Sequence, residues 1–412
     1  MTHAQPLTSL SSRIGWVTKD RKKGDDDKRK SKWERRYFVL RPTSVQYFED
    51  AEQKKMKGEI PLDACFVQED PVAPGQTASH EPNLKLVPGG RTLYFMADTA
   101  TETESWISAI KANIALNSYL KKSIMTRNRI DPRVTDFACN YQSQEILYMD
   151  NESISLEAIV AMQHPLRDCH CTTLSLEGCE LEDLHMQVLA TAMADNKTIK
   201  TLNLARNAIT DAGALSLSEG LRKSKSITQI SVSGNLIKAD GAGHLAAVLM
   251  ARRGISRLNI DKNPIGDQGA ISFAKALTSV HHHYPVLNLS STGLGDQACG
   301  AIGEMLKTNP NVVDVFLSHN KMTTKGATDL AKVLEKITTV QCIDVSSNTI
   351  DEKGILALAK MLEHNSKILS VSIGGNRLTS GKTMSDILSV VSADSKLVFP
   401  LLAFERQAAG FE

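Results

Sequence analysis

Ile199-Lys200-Thr201-Leu202-Asn203-Leu204-Ala205-Arg206-Asn207 is apolar at positions 1, 4 and 6 and ends on asparagine at position 9, and the phrase returns along the chain. Clear copies start at Ile227, Ile255, Val312, Val340 and Ile368 and close on Asn235, Asn263, Asn320, Asn348 and Asn376. Weaker copies start at Ser143 (Ile146, Tyr148, Asn151), Cys171 (Leu174, Leu176, Cys179) and Tyr284 (Leu287, Leu289, Thr292). Starts lie 28 residues apart, with one step of 29 from Ile255 to Tyr284. A fixed period of this length predicts a solenoid of stacked units. Such a stack offers a long concave surface to a partner rather than one deep pocket for chemistry.

Each position has a physical task. Residues 1, 4 and 6 point inward from a short strand and its flank and stack on the next copy. The asparagine both donates and accepts, so a ladder of them can satisfy backbone groups left open by the turn. Then comes a run such as Thr210-Asp211-Ala212-Gly213-Ala214, followed by Leu215, Leu217 and Leu221 at roughly helical spacing. The Asp or Thr caps this helix, and the glycine lets the turn and helix pack close against the strand layer. The pattern resembles leucine-rich repeats of the ribonuclease-inhibitor type. That resemblance implies a horseshoe-shaped α/β solenoid of nine copies over residues 143–395.

Residues 13–117 lack the period and read as strands closed by one helix. Strands are expected at 13–19, 33–40, 44–48, 57–62 and 92–97, and Trp106, Ile107, Ile110 and Ile114 predict a helix over 101–116. The phrases Gly15-Trp16-Val17-Thr18-Lys19, Trp33 to Leu40, Val45 to Phe48 and Lys57 to Leu62, with Trp106 in the closing helix, resemble a pleckstrin-homology domain. The resemblance implies a β-barrel with a C-terminal helix and makes Trp16, Phe38, Phe48 and Trp106 core residues. Residues 118–142 are then a linker or an N-terminal cap of the repeats, and 396–412 a C-terminal cap and tail.

In lipid-binding members of that family a Lys ends the first strand and a basic-x-Arg motif sits on the second. Lys19 and Arg36 match, while Glu34 takes the place of the first base. Lys57 and Tyr47 fall where the family often carries a base and a phosphate-touching tyrosine. Lys22, Lys23 and Lys32 lie in the intervening segment, where residues 19–36 hold ten basic and five acidic residues, among them Asp25, Asp26 and Asp27. An acidic phospholipid surface is the partner these residues imply. A basic segment gains about 1 kcal/mol per well-placed cation at such a surface, and the acid triplet opposes part of it.

The whole chain of 412 residues has a net charge of only +2, which gives no bulk electrostatic case for nucleic acid. No apolar run approaches the ~20 residues of a membrane span, and no signal-peptide core is present. Seven cysteines without a disulfide framework suit a reducing, intracellular setting. Cys169-His170-Cys171 with Cys179 holds four ligand types, but Cys171 and Cys179 are committed to repeat positions 1 and 9, so no metal or other cofactor is expected. His281-His282-His283 reads as an exposed turn. No nucleophile elbow, P-loop or dinucleotide fingerprint occurs, so the chain is read as non-enzymatic.

Positions 2, 3, 5, 7 and 8 of each phrase should face the concave side. Most are small and polar. Lys200 with Arg206, Arg257 with Lys262, and Phe316 with His319 stand out there as candidate protein contacts. The reading is an adaptor or scaffold, cytoplasmic, peripheral at a membrane, the cytoskeleton or a cilium. Its domain order is similar to CARMIL-type actin-capping regulators. The alternatives are a GTPase-activating repeat protein like the Ran-type activators, or a purely structural cytoskeletal component.

Overall fold

The computed structural model describes residues 13–20, 33–62, 65–68, 84–88, 93–126, 128–279 and 284–377. The expected C-terminal cap, the three consecutive histidines and Lys22, Lys23 and Lys32 lie outside them. Two compact units divide the chain, Met1–Glu145 with Ile154–Cys171, and Ile146–Ser153 with Thr172–Glu412.

In the first unit, β1 (Arg13–Asp20), β2 (Trp33–Leu40), β3 (Ser44–Phe48), β4 (Met56–Pro61), β5 (Cys65–Gln68), β6 (Leu84–Pro88) and β7 (Leu93–Met96) form one sheet. All its pairings are antiparallel, in the order β4-β3-β2-β1-β7-β6-β5. Two of these strands, β5 and β6, went unread in the sequence because they are short and lack clear alternation. Alternation sends Val17, Phe38 and Val45 to one face, where Phe38 meets Phe95 and Trp106 edge-on at 5.2 and 6.2 Å. Trp16 is a correction to the expected core. It lies on the outer face of the sheet, 38% exposed, against Tyr37 at 5.5 Å.

The closing helix α1 (Ala100–Thr126) runs ten residues past the C-terminal end that its apolar pattern announced. Tyr119, Leu120 and Ser123 are buried in the added turns, because α1 packs against α3 (Leu156–Asp168). Lys122 reaches Glu157 at 2.6 Å, and the Ser108 hydroxyl donates to the Asp168 carboxylate. Between them α2 (Pro132–Asn140) starts on Asp131, whose side chain accepts from the Arg133 amide. The Asp131 N–H donates to the Tyr119 hydroxyl at 2.8 Å.

The second unit alternates three-residue strands with helices. Its strands are β8 (Ile146–Tyr148), β9 (Thr173–Ser175), β10 (Thr201–Asn203), β11 (Gln229–Ser231), β12 (Arg257–Asn259), β13 (Val286–Asn288), β14 (Asp314–Phe316), β15 (Cys342–Asp344) and β16 (Ser370–Ser372). Its helices are α4 (Asp183–Asp195), α5 (Asp211–Lys223), α6 (Ala239–Ala251), α7 (Gly266–Ser279), α8 (Asp296–Thr308), α9 (Thr324–Leu334) and α10 (Glu352–His364). The pairing is parallel.

The asparagine ladder works as its chemistry suggests. Asn235 Nδ2 donates to the Leu204 and Val232 carbonyls at 3.0 and 2.8 Å, and its Oδ1 accepts from the Ile209 N–H at 3.0 Å. A second ladder runs beside it. Thr210 caps its own helix, but Asp211 caps the following one, accepting the Lys238 and Gly241 amides at 2.8 and 2.9 Å. Asp183, Asp267 and Asp296 do the same for their successors. The glycine of the run makes room for this carboxylate: a Cβ on Gly241 would stand 2.5 Å from Asp211 Oδ1.

The first copy is displaced by one residue from its expected register. Leu147, not Ile146, pairs with Leu174, so Leu147 and Met149 are buried while Ile146 and Tyr148 are 47% and 64% exposed. A one-residue slip exchanges the two faces of a strand, and Ile146-Leu147-Tyr148-Met149 is apolar on both, which hides the slip in the sequence.

The strands also divide, β8 to β12 in one sheet and β13 to β16 in another. Position 2 of a copy donates its N–H to position 2 of the copy before, as Ser256 does to Thr228 and Val313 to Pro285, at 2.9 and 2.8 Å. Pro285 has no N–H to give. Beside it the Tyr284 hydroxyl donates to the Leu258 carbonyl at 2.9 Å, so the strand ladder is interrupted there and bonding between the two copies resumes where the Lys262 N–H meets the Ser290 carbonyl at 2.9 Å.

Candidate binding sites

On the first unit, β1 to β4 bring the basic residues near one another, and each described one meets a partner. The Lys19 ammonium stands 4.0 Å from the centre of the Tyr47 ring, a cation–π contact. That ring lies where a side chain on Gly58 would stand, so the glycine of β4 permits the stack. Arg36 is paired with Glu34 at 2.5 Å, and Lys57 with Glu49 at 2.8 Å. Glu49 also holds Lys55 at 3.2 Å, and its hydrogen bonds to Lys57 and Lys55 bring its carboxyl down to about 2. An arriving phosphate therefore competes with carboxylates already in place, most directly Glu34. Arg35 turns to the opposite face, onto Asp98 at 2.7 Å and over the Trp16 ring at 5.7 Å.

The concave face of the second unit is built by positions 3, 5 and 7 of each copy, with position 8 on its rim. Arg206, Arg257 and Lys262 line one hollow of about 510 Å³ on the sheet β8 to β12, with Asn203 and Ser231 at its floor. Lys200 is exposed but does not line that hollow. Phe316 and His319 belong to the other sheet, beyond the break at Pro285, and Phe316 is half-buried rather than the exposed anchor its position suggested. Among the described residues the exposed aromatic on this face is Tyr148, with Ile146 beside it on the same strand. Reading the first copy from Gln144 would have found both.

Position 8 has a further property. Its backbone is left-handed in copy after copy, and glycine fills it at Gly178, Gly234 and Gly375. Arg206, Lys262 and His319 hold the same conformation, with φ of 57°, 54° and 57°. A side chain there is strained, so these are bases kept at positions better suited to glycine.

Among the described residues no group of three or more His, Cys, Asp or Glu is placed to hold a metal ion. Cys171 and Cys179 give their thiols to the Gln144 and Met149 carbonyls. No described helix is long and apolar enough to cross a membrane.

The family model for the PH domain matches residues 12–115, and that for the leucine-rich repeat matches 195–218, 255–274 and 336–359. Pleckstrin homology domain-containing protein 1 of Arabidopsis thaliana is 32% identical over 112 residues, covering 27% of this chain and 73% of that protein. Pleckstrin homology domain-containing family A member 7 of Homo sapiens is 28% identical over 132 residues, 27% of this chain and 11% of that protein. Human cytohesin-2 is 28% identical over 115 residues, 24% of this chain and 29% of that protein. The chain thus spans under a third of the length of the two human relatives. Among solved structures, the PH domain of human KIAA0053 matches with 24% identity and a TM-score of 0.22, over 27% of this chain and 94% of that one.

Proposed function

The chain belongs to the pleckstrin-homology-domain-containing proteins through residues 12–115, with leucine-rich repeats following, and on that premise we propose a two-handed adaptor. The combination is of the membrane-targeting and protein-interaction kind, and both modules are generally non-catalytic. The first unit attaches to acidic phospholipid by charge, with modest affinity and little headgroup selectivity, through Lys19, Arg36, Lys57 and the lysines of residues 21–32. The second holds a partner protein on its concave strand face.

The observation that carries this reading is the internal pairing of the family's lipid-site bases. Lys19 rests on Tyr47, Arg36 on Glu34 and Lys57 on Glu49, which favours diffuse attraction over a tight inositol-phosphate cage. For the concave face, the hollow flanked by Arg206, Arg257 and Lys262 supports a protein contact. Ser231→Arg, which fills its floor, is expected to abolish capture of partners from a lysate by the full chain while leaving vesicle binding unchanged. Unchanged capture would remove the concave face from the account. Accelerated GTP hydrolysis by small GTPases would contradict the non-enzymatic part.

A further inference from the structure

We propose that the hollow on the five-stranded sheet receives an arginine side chain of the partner protein, flanked on the partner by carboxylates; this rests on the concave face being the protein-binding face. Asp261, at position 7 of the fifth copy, is only 9% exposed, and its Oδ1 is buried without a hydrogen-bond partner. The column it belongs to is otherwise small or satisfied. Ala205, Ser233 and Ser290 occupy it nearby. Asp150 accepts from the Ser175 hydroxyl and the Glu177 amide at 2.7 and 2.8 Å, and Glu177 accepts from Asn203 at 3.0 Å.

Asn259 repeats the anomaly at position 5. In three other copies the side chain at this position, on Asn203, Asn288 or Asp344, accepts the N–H two residues on, at 3.1, 3.1 and 2.9 Å. Asn259 Oδ1 is buried and accepts nothing. Asn259 and Asp261 both line the hollow, and each carries a buried oxygen, one carboxylate and one amide, that lacks a donor. Buried acceptors in that condition are costly. Among the described residues no ion pair joins Asp261 to Arg257 or Lys262, although both are exposed on the same rim.

The donor that fits is a guanidinium. It carries five N–H groups in a planar fork, is weakly hydrated, and can serve a carboxylate and a neighbouring amide oxygen at once. An ammonium is a compact, strongly hydrated point charge and suits the paired acceptors less well. A volume of about 510 Å³ accommodates such a side chain with its backbone, inside the range of roughly 300–1,000 Å³ usual for ligand sites. The rim decides the rest. Arg206 already meets Glu177 at 3.6 Å, but Arg257 and Lys262 would repel a wholly basic segment, so the arginine must arrive between acidic neighbours that meet those two bases.

The full chain is titrated at low salt with the capped peptides Glu-Arg-Glu, Glu-Lys-Glu and Glu-Gln-Glu, followed by NMR or calorimetry. Glu-Arg-Glu is expected to bind roughly tenfold or more tighter than Glu-Gln-Glu, as a charge-assisted pair should, with Glu-Lys-Glu between. Asp261→Asn, isosteric and checked by its melting curve, is expected to erase the advantage of arginine. Equal affinity of the arginine and glutamine peptides, an advantage that survives in Asp261→Asn, or no binding of any peptide would each overturn the arginine site. The wider reading fails separately, when Ser231→Arg leaves partner capture intact.

Discussion

Arg206 and Lys262 sit where the backbone turns left-handed and glycine is the unstrained choice, so their side chains cost stability. Arg206→Gly and Lys262→Gly are each expected to leave folding stability unchanged or raise it by up to about 1 kcal/mol, while weakening partner capture. Denaturant melts beside a binding assay would show the opposed signs, and a loss of stability without loss of binding would make these side chains structural. Asp168 offers a second residue-level test. Burial opposes its charge, but hydrogen bonds from Arg167 and Ser108 prevail and hold its carboxyl below the ordinary 3.8. A depressed carboxylate stabilises the fold in full above its unfolded value, and the contribution is lost as pH falls through the folded one. Stability should therefore decline below about pH 4, and Asp168→Asn should flatten that decline.

At the scale of elements, the register of β8 is the sharpest case. Met149→Ala is expected to cost about 2–5 kcal/mol, as core truncations do, and Tyr148→Ala no more than about 0.5 kcal/mol. Equilibrium unfolding of the two variants decides it, and the reverse order would restore the register that starts at Ser143. Much of this level was legible in the sequence. A repeat pattern is read by superposition, so eight strands could correct one another, while β8 at the end of the series had a neighbour on one side only. The asparagine ladder was foreseen because its bonds close within the motif and its neighbour. The aspartate ladder was not, because Asp211 sits where any helix welcomes an acid, and only the Gly241 amide of the next copy reveals its use. The extension of α1 escaped for a related reason. Tyr119 and Leu120 are buried in turns of α1 that pack on α3, an element that begins 36 residues after Leu120, and local periodicity carries no record of that packing.

The candidate lipid-site residues on β1 to β4 were named by resemblance, but their pairing with Glu34, Glu49 and Tyr47 required side-chain geometry. The hollow at Asp261 had no sequence signal beyond an acid in a column of small residues. The central claim, an adaptor whose first unit meets membranes by diffuse charge, is tested most directly by sedimenting the full chain with vesicles across a salt series. Vesicles of phosphatidylcholine with phosphatidylserine, with or without a phosphoinositide, supply the contrast. Binding is expected to be similar with either acidic lipid and to fall steeply towards physiological ionic strength, where exposed charges are screened within about 8 Å. Glu34→Lys should strengthen it by freeing Arg36, and Lys19→Glu with Arg36→Glu should abolish it. Tight, salt-resistant binding to the phosphoinositide alone, or no binding to any acidic vesicle, would contradict the account.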